Sequence, residues 1–196
     1  MSNGPVFGLG TAVTNYAIAP GALGAWLVAN GFESLWFGEH SHVPTGQKSL
    51  RPNYRETPDA YREIYDPFVS LMGVAAATST LKIGTSILIV TEHHPIRLAK
   101  AVATLDQMSQ GRVILGIGAG WSAEEMADYG MDFSKRWKWV RECILAVREI
   151  WNNDVAEFEG EMVNFEPMWC GPKPLQKNGP PVLMGAWNHY AIARIV

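Results

Sequence analysis

Four of the chain's five histidines stand in two short clusters beside acids, Glu39-His40-Ser41-His42 and Glu92-His93-His94. An imidazole titrates near neutral pH and can give or take a proton as a bond is made or broken. His40, directly after an acidic residue, is therefore the first candidate for acid–base work. The same residues allow a second chemistry. His40 and His42 form a His-x-His pair, and metal-dependent hydrolases on barrel scaffolds hold their ion through such a pair. In those enzymes the pair follows the first strand. Here it follows the second, and His93 and His94 read as loop residues before Pro95. No residue is assigned to a metal.

A third chemistry is suggested by Gly111–Met126, GRVILGIGAGWSAEEM, where an apolar run meets Gly116, Gly118 and Gly120. A dinucleotide fingerprint, G-x-G-x-x-G/A, brings backbone close to a pyrophosphate. Counted from Gly116 it needs glycine or alanine at position 121, where Trp121 stands; counted from Gly118, GAGWSA satisfies it with Ala123. The fingerprint belongs to the first strand of its fold and to an acidic end of the next. This stretch follows the fourth strand and precedes a long helical region. Glycines that ease a tight strand-to-helix turn suit a barrel equally well.

The elements that position these residues alternate. Strands are expected at Val6–Val13, Leu35–Phe37, Leu81–Val90, Arg112–Ile117 and Pro181–Met184. Helices are expected at Gly21–Asn30, Phe68–Thr78 after Pro67, from Pro95 onward, and over Ser122–Trp151 with a break near Gly130. A fifth helix opens at Tyr190–Val196. A polar, proline-bearing segment, His40–Asp66, follows the second strand, and AEFEGEMVNF (Ala156–Phe165) reads as a small hairpin. Residues 134–151 carry one apolar stripe, as an outer helix does. Strand then helix, five times, implies a parallel sheet with helices outside, either a doubly wound sheet or part of an eight-stranded barrel.

Composition narrows the classes. The chain has 196 residues, 47% hydrophobic and 18% charged, enough for one sizeable core. A net charge of −3 offers no basic footprint for nucleic acid. The apolar run Ile87–Val90 is far too short to span a bilayer. MSNGPVFGLG lacks the basic and apolar regions of a signal peptide. Cys143 and Cys170 match no zinc spacing. A reduced, cytoplasmic protein with a small-molecule substrate, and with neither a membrane nor a nucleic-acid partner, is expected. The eight tryptophans suit the core, an interface, or the pocket of a ring-shaped ligand.

Four stretches together carry a family resemblance: GFESLWFGEHSHVP (31–44), LKIGTSILIVTEHHPIRLAKAVATLDQMSQGRVILGIGAGW (81–121), the hairpin with its connector, and PPVLMGA (180–186). The chain resembles the luciferase-like monooxygenase superfamily, and within it the deazaflavin (coenzyme F420) dependent oxidoreductases. The resemblance implies an α/β fold, a TIM-type (β/α)8 barrel with about five βα units present, in one domain over 1–196 with a hairpin insertion near 156–165. Five strands cannot close such a barrel, so a fragment of a longer protein is expected.

The resemblance also implies hydride transfer, or oxygen activation, on coenzyme F420, with FMN as the alternative cofactor. Alternatives to that activity are a metal-dependent hydrolase and a non-catalytic flavin-binding relative. His40 is implied as the catalytic proton donor or substrate-orienting group, with Glu39 beside the cofactor ring. Gly84, Thr85, Ser86 and Ile87 are implied to form a bulge under one ring face, with a non-proline cis bond at Ser86–Ile87. Gly118, Ala119 and Gly120 are implied to form a turn small enough for the cofactor to approach. Gly185, followed by Ala186 and Trp187, corresponds to a turn whose amides hold the cofactor phosphate. Trp121 stands where the sugar-phosphate dehydrogenases of the superfamily carry a catalytic glutamate, and is expected with His42 to wall the substrate pocket. Pairing of outer helices in a homodimer is implied as well.

Overall fold

A computed structural model describes residues 5–50 and 55–185. Its strands are β1 (Gly8–Thr11), β2 (Ser34–Phe37), β3 (Lys82–Thr85), β4 (Leu88–Ile89), β5 (Val113–Gly118), β6 (Val155–Glu159), β7 (Asn164–Trp169) and β8 (Val182–Met184). Its α-helices are α1 (Pro20–Ala29), α2 (Pro67–Ala77), α3 (Pro95–Met108), α4 (Ala123–Asp128) and α5 (Arg136–Asn152). The expected helix at 190–196, and Ala186 and Trp187, lie outside the described residues.

β1 pairs with β2, β2 with β3, and β3, β4 and β8 with β5, all in parallel. Spatial order therefore follows chain order and never reverses, which decides against a doubly wound sheet. About five βα units form an arc of a TIM-type (β/α)8 barrel. Period-two alternation sorts the side chains. Leu35, Phe37, Ile83, Val113, Leu115 and Ile117 are buried, in one core with side chains of α2, α3 and α5. Toward the C-terminal ends the alternate positions Gly84, Gly116 and Gly118 are small, and Trp36 is the large one among them. Its ring lies where a Cβ at Gly84 would sit, 2.6 Å away, so only glycine fits there.

The strand expected over Leu81–Val90 is divided. Ile83 faces Val113 and Leu88 faces Ile117, so five steps along this strand match four along β5. The extra residue is a bulge at Ser86–Ile87. Beyond β4 the chain tightens into a 3-10 turn, Val90–Glu92. The helical region also divides. Gly130 has φ +72°; its N–H donates to the Ala127 carbonyl, and that of Met131 to Met126. That pair of bonds is a Schellman motif, which ends α4. The hairpin runs to Trp169, past the expected Phe165. Its turn is held to α5 by the buried Glu142, whose carboxylate accepts bonds from the N–H groups of Met162 (2.8 Å) and Val163 (3.1 Å).

Two clamps secure the N-terminal ends of the strands. The Arg112 guanidinium donates to the carbonyls of Ala75, Thr78, Leu81 and Ser109 and to the Thr78 hydroxyl. Buried Asp106 accepts from the N–H groups of Leu175 and Gln176 and from the Gln176 side chain, anchoring the connector before β8. The opposite, C-terminal end is thereby free to be built for function.

Candidate active site

At the end of β2 the chain delivers Glu39 and His40 to the C-terminal mouth of the barrel arc. Glu39 is buried and turns toward β4. Its Oε2 accepts a 2.6 Å bond from the Ile89 N–H, and its Oε1 lies 2.8 Å from His93 Nε2. Both carboxylate oxygens are thus engaged in holding the strand just past the bulge. The Ser86–Ile87 bond is cis.

His40 turns toward α4. Its Nδ1 lies 3.0 and 3.2 Å from the two oxygens of Glu125. The pair is enclosed, with side-chain exposures of 10% and 3%. Tyr61 stacks on the imidazole at 4.5 Å, and Trp121 meets it edge-on at 5.5 Å. Two rings and a carboxylate therefore fix the orientation of this one side chain.

α4 begins with Ser122-Ala123-Glu124-Glu125. Ser122 caps it, accepting from the Glu125 N–H at 3.2 Å. In a capping box the glutamate at the third helical position would reach back to the cap. Here Glu125 reaches across to His40 instead. Glu124 holds the long segment after β2: its Oε1 accepts from the N–H groups of Lys48 (2.9 Å) and Ser49 (3.2 Å). Gln47 donates to the Ser122 hydroxyl at 2.9 Å. Hydrogen bonding from the Ser49 side chain and then from the Lys48 backbone holds the Glu124 carboxyl down to about 2.

A third carboxyl completes the cluster. Both oxygens of Glu92 are buried, and neither has a hydrogen-bond partner in bonding geometry among the described residues. Burial first, then the negative charges of Glu125 and Glu39, push its carboxyl up to about 9.

An open cavity of about 360 Å³ lies along the inner face of the strands, lined in part by Trp36, Ser86, Ile87, Gly116 and Gly185. Its size falls in the range of small-molecule sites. Thr85 also borders it, though its hydroxyl donates to the Gly116 carbonyl at 2.7 Å. Gly84 is covered by Trp36. Gly118, Ala119 and Gly120 do not border this cavity. A Cβ at Gly118 would stand 2.9 Å from Ile87 Cδ1, and one at Gly120 would stand 2.8 Å from Met126 Cε. Ala119 is buried, and its carbonyl accepts from the Thr91 hydroxyl. His42 and Trp121 do not border the cavity either; His42 has Nε2 2.9 Å from Asp128 and Nδ1 2.8 Å from the Ser41 hydroxyl. His40 and His42 thus engage different carboxylates of α4. Among the described residues no group of three or more His, Cys, Asp or Glu side chains is disposed to hold a metal ion.

Glu125, Glu92 and His93 are members of this cluster that sequence reasoning did not assign. The Glu92-His93-His94 run after an apolar strand was the visible signal for two of them. For Glu125 the signal was an acid one turn beyond the glycine-rich strand end. His94 is spent on capping α3, its Nδ1 accepting from the Ile96 N–H.

Comparison with known proteins agrees with this architecture. The family model described as luciferase-like monooxygenase matches residues 28–195. An uncharacterized protein of Mycobacterium tuberculosis is 37% identical over 183 residues, covering 92% of this chain and 64% of its own length. An F420-dependent glucose-6-phosphate dehydrogenase of Kineococcus radiotolerans is 31% identical over 182 residues, covering 89% of this chain and 50% of its own. The chain thus spans less than two thirds of the length of these relatives. The coenzyme F420 dependent tetrahydromethanopterin reductase of Methanopyrus kandleri shares the fold, with a TM-score of 0.72 at 22% identity over 96% of this chain and 52% of its own.

Proposed function

The chain belongs to the luciferase-like monooxygenase family, and from that premise we propose that it is an oxidoreductase that transfers hydride on a deazaflavin, coenzyme F420, to a small organic substrate. The observation that carries the reading is a pairing at one end of the barrel arc. A cavity bordered by Ser86, Ile87, Gly116 and Gly185 shares that end with a histidine held rigidly by Glu125. Glycine along the cavity leaves room for a flat ring to approach backbone closely. The 31% identity to an F420-dependent dehydrogenase supports the deazaflavin. FMN is the alternative, because it too presents a flat tricyclic ring and a phosphate.

Bound and reduced, the deazaflavin supplies the hydride. The chain's own residues do the rest. Ser86, Ile87 and Gly185 form the ring's wall. Glu39 acts indirectly, holding β4 and His93 so that the bulge keeps its shape. His40 commits Nδ1 to Glu125, which leaves Nε2 to meet the substrate's polar atom and give it a proton. Tyr61 and Trp121 keep the imidazole from rotating and exclude water from its faces. The segment fixed by Glu124 encloses the same region.

The test is a fluorescence titration with oxidised coenzyme F420 and, separately, with FMN, followed by a panel of carbonyl and alkene substrates. Saturable quenching by the deazaflavin and turnover of a panel member are expected. Failure to bind either cofactor would sink the reading. Binding without turnover would leave a non-catalytic flavin-binding relative.

We also propose a homodimer formed through α1 and α2. These adjacent helices contain no charged residue, yet Trp26 is 54% and Val69 74% exposed. Helices apolar on every face are normally covered.

A further inference from the structure

Among the described residues, the cavity along the inner face of the strands is bordered by one aromatic side chain, Trp36. β2 delivers it inward, between Leu35 and Phe37, which turn to the core. The indole is spread across the strands rather than standing away from them. Its Nε1 donates to the Ser34 hydroxyl at 2.8 Å and lies 3.1 Å from where a Cβ at Gly8 of β1 would stand. Its Cε3 and Cζ3, on the opposite edge, lie 2.6 Å from the corresponding point at Gly84 of β3. Glycines on both neighbouring strands thus leave the volume that one indole fills, and the bond to Ser34 sets its direction. The space beside it is open, since a Cβ at Gly10, its partner in β1, would meet nothing within 4 Å.

The donors at this level are already spent. Ser34 holds the indole N–H, and the Thr85 hydroxyl donates to the Gly116 carbonyl at 2.7 Å. Leu183 and Met184 of β8 add apolar surface, and no Asp, Glu, Lys or Arg among the described residues borders the cavity. Sugar hydroxyls or a phosphate would lose their water here without gaining partners. A flat conjugated ring loses no hydrogen bond and gains contact over its whole face.

We propose that Trp36 is a binding residue, a fixed stacking surface that takes a flat conjugated ring at the floor of the cavity. Trp36 pairs in register with Gly84, two residues before Ser86, so this surface lies one inward position deeper than the bulge. An indole already held in place needs little further ordering when a ligand arrives. The ring is the deazaflavin's own or that of an aromatic substrate, and the recognition chemistry is the same for both. The proposal rests on the reading of this cavity as the ligand site, and not on hydride transfer.

The experiment uses the chain as it is, with nitrogen-labelled indoles followed by NMR. Naphthol, a flat neutral ring, and decahydronaphthol, its puckered saturated counterpart, are titrated separately into wild type, Trp36→Phe and Trp36→Leu. The Trp36 signal, identified by its absence from Trp36→Phe, should move with naphthol. The naphthol ring protons should shift upfield as they enter the indole's ring current. Trp36→Leu should weaken naphthol about fivefold and leave decahydronaphthol unchanged, while Trp36→Phe keeps most of the naphthol affinity. A Trp36→Leu variant that treats both ligands alike overturns the proposal. So does a Trp36 signal that naphthol leaves in place, or a wild type that does not bind naphthol. Should Trp36→Leu fail to fold, the wild-type indole and naphthol shifts decide alone. A last arm adds coenzyme F420 at saturation. Naphthol displaced from Trp36 assigns the surface to the cofactor's ring, and naphthol retained assigns it to a substrate's. If coenzyme F420 does not bind while naphthol stacks on Trp36, the hydride-transfer reading falls and the stacking surface stands.

Discussion

Glu125 and His40 are 85 residues apart in the chain, yet a carboxylate oxygen of one lies 3.0 Å from the imidazole Nδ1 of the other. The contact joins the first turn of α4 to the end of β2, so a helix start sets the orientation of a strand-end histidine. Glu125→Gln keeps the shape and removes the charge. The helix should persist, since its cap is the Ser122 hydroxyl. Turnover should fall about 10²-fold, with cofactor affinity little changed. Steady-state kinetics beside a deazaflavin titration would check this; equal losses in both would point to a collapsed site.

Glu92 links stability to pH. Its carboxyl ionises near 4.5 when exposed and near 9 in the fold, so the folded state binds its proton more tightly. Stability should therefore fall as pH rises from about 4.5 toward 9, and then level. Glu92→Gln removes that dependence and should gain about 4 kcal/mol over wild type between pH 4.5 and pH 8. Urea unfolding at the two pH values measures it. A variant no more stable at pH 8 contradicts the prediction.

Glu124 should act on the segment it holds. Its carboxyl is held down to about 2, so its bonds to Lys48 and Ser49 should persist on acidification below the ordinary carboxylate range and weaken only as pH nears 2. Glu124→Ala should free residues 47–49 at neutral pH. Hydrogen exchange at the Lys48 and Ser49 amides should quicken while the strands keep their protection. Unchanged exchange at those two amides would show the segment is held by other contacts.

Arg112 binds four carbonyls and a hydroxyl at the end of the strands away from the site. Arg112→Met should cost about 3 kcal/mol, because charged donors are lost and buried carbonyls are left unpaired. Deazaflavin affinity should stay the same for the folded fraction. Denaturant unfolding and cofactor titration of one preparation test both halves.

The paired apolar helices predict self-association. A charge at Val69 or Trp26 should be tolerated by the fold, since both side chains are at least half exposed. It should nonetheless oppose dimer formation. Sedimentation should show a dimer for wild type and a monomer for Val69→Glu. A wild-type monomer at high concentration would remove this surface from consideration.

The alternation of strand and helix was legible because each strand is a short apolar run bounded by proline, glycine or polar residues. The bulge at Ser86–Ile87 was not legible from periodicity. One extra residue in a strand apolar on both faces leaves no mark in the pattern, and only the family resemblance pointed to it. Glu39 and His40 were legible as acid and base at a strand end. The sequence did not indicate that both Glu39 oxygens are engaged by the chain itself. Glu125 was hidden by its own context. A serine followed by acids is fully explained as a helix start, and its partner lies on another strand. Glu92 was hidden for the opposite reason, since a charge after an apolar run reads as a solvated turn. Gly118 and Gly120 read as space for a ligand, whereas their missing side chains make room for Ile87, Ile89 and Met126.

Ile87 carries this last point further. A Cβ at Gly118 would stand 2.9 Å from its Cδ1, and a Cβ at Gly185 would stand 2.9 Å from its Cγ2. One side chain therefore occupies volume ceded jointly by two other strands. Homologous sequences should trade that volume as a fixed sum. Alanine at 118 or 185 should travel with valine or alanine at 87, and a bulkier residue at 87 should never appear unless both glycines remain. The width of the barrel mouth is thus an inherited bargain among three positions, and evolution can retune it only by moving them together.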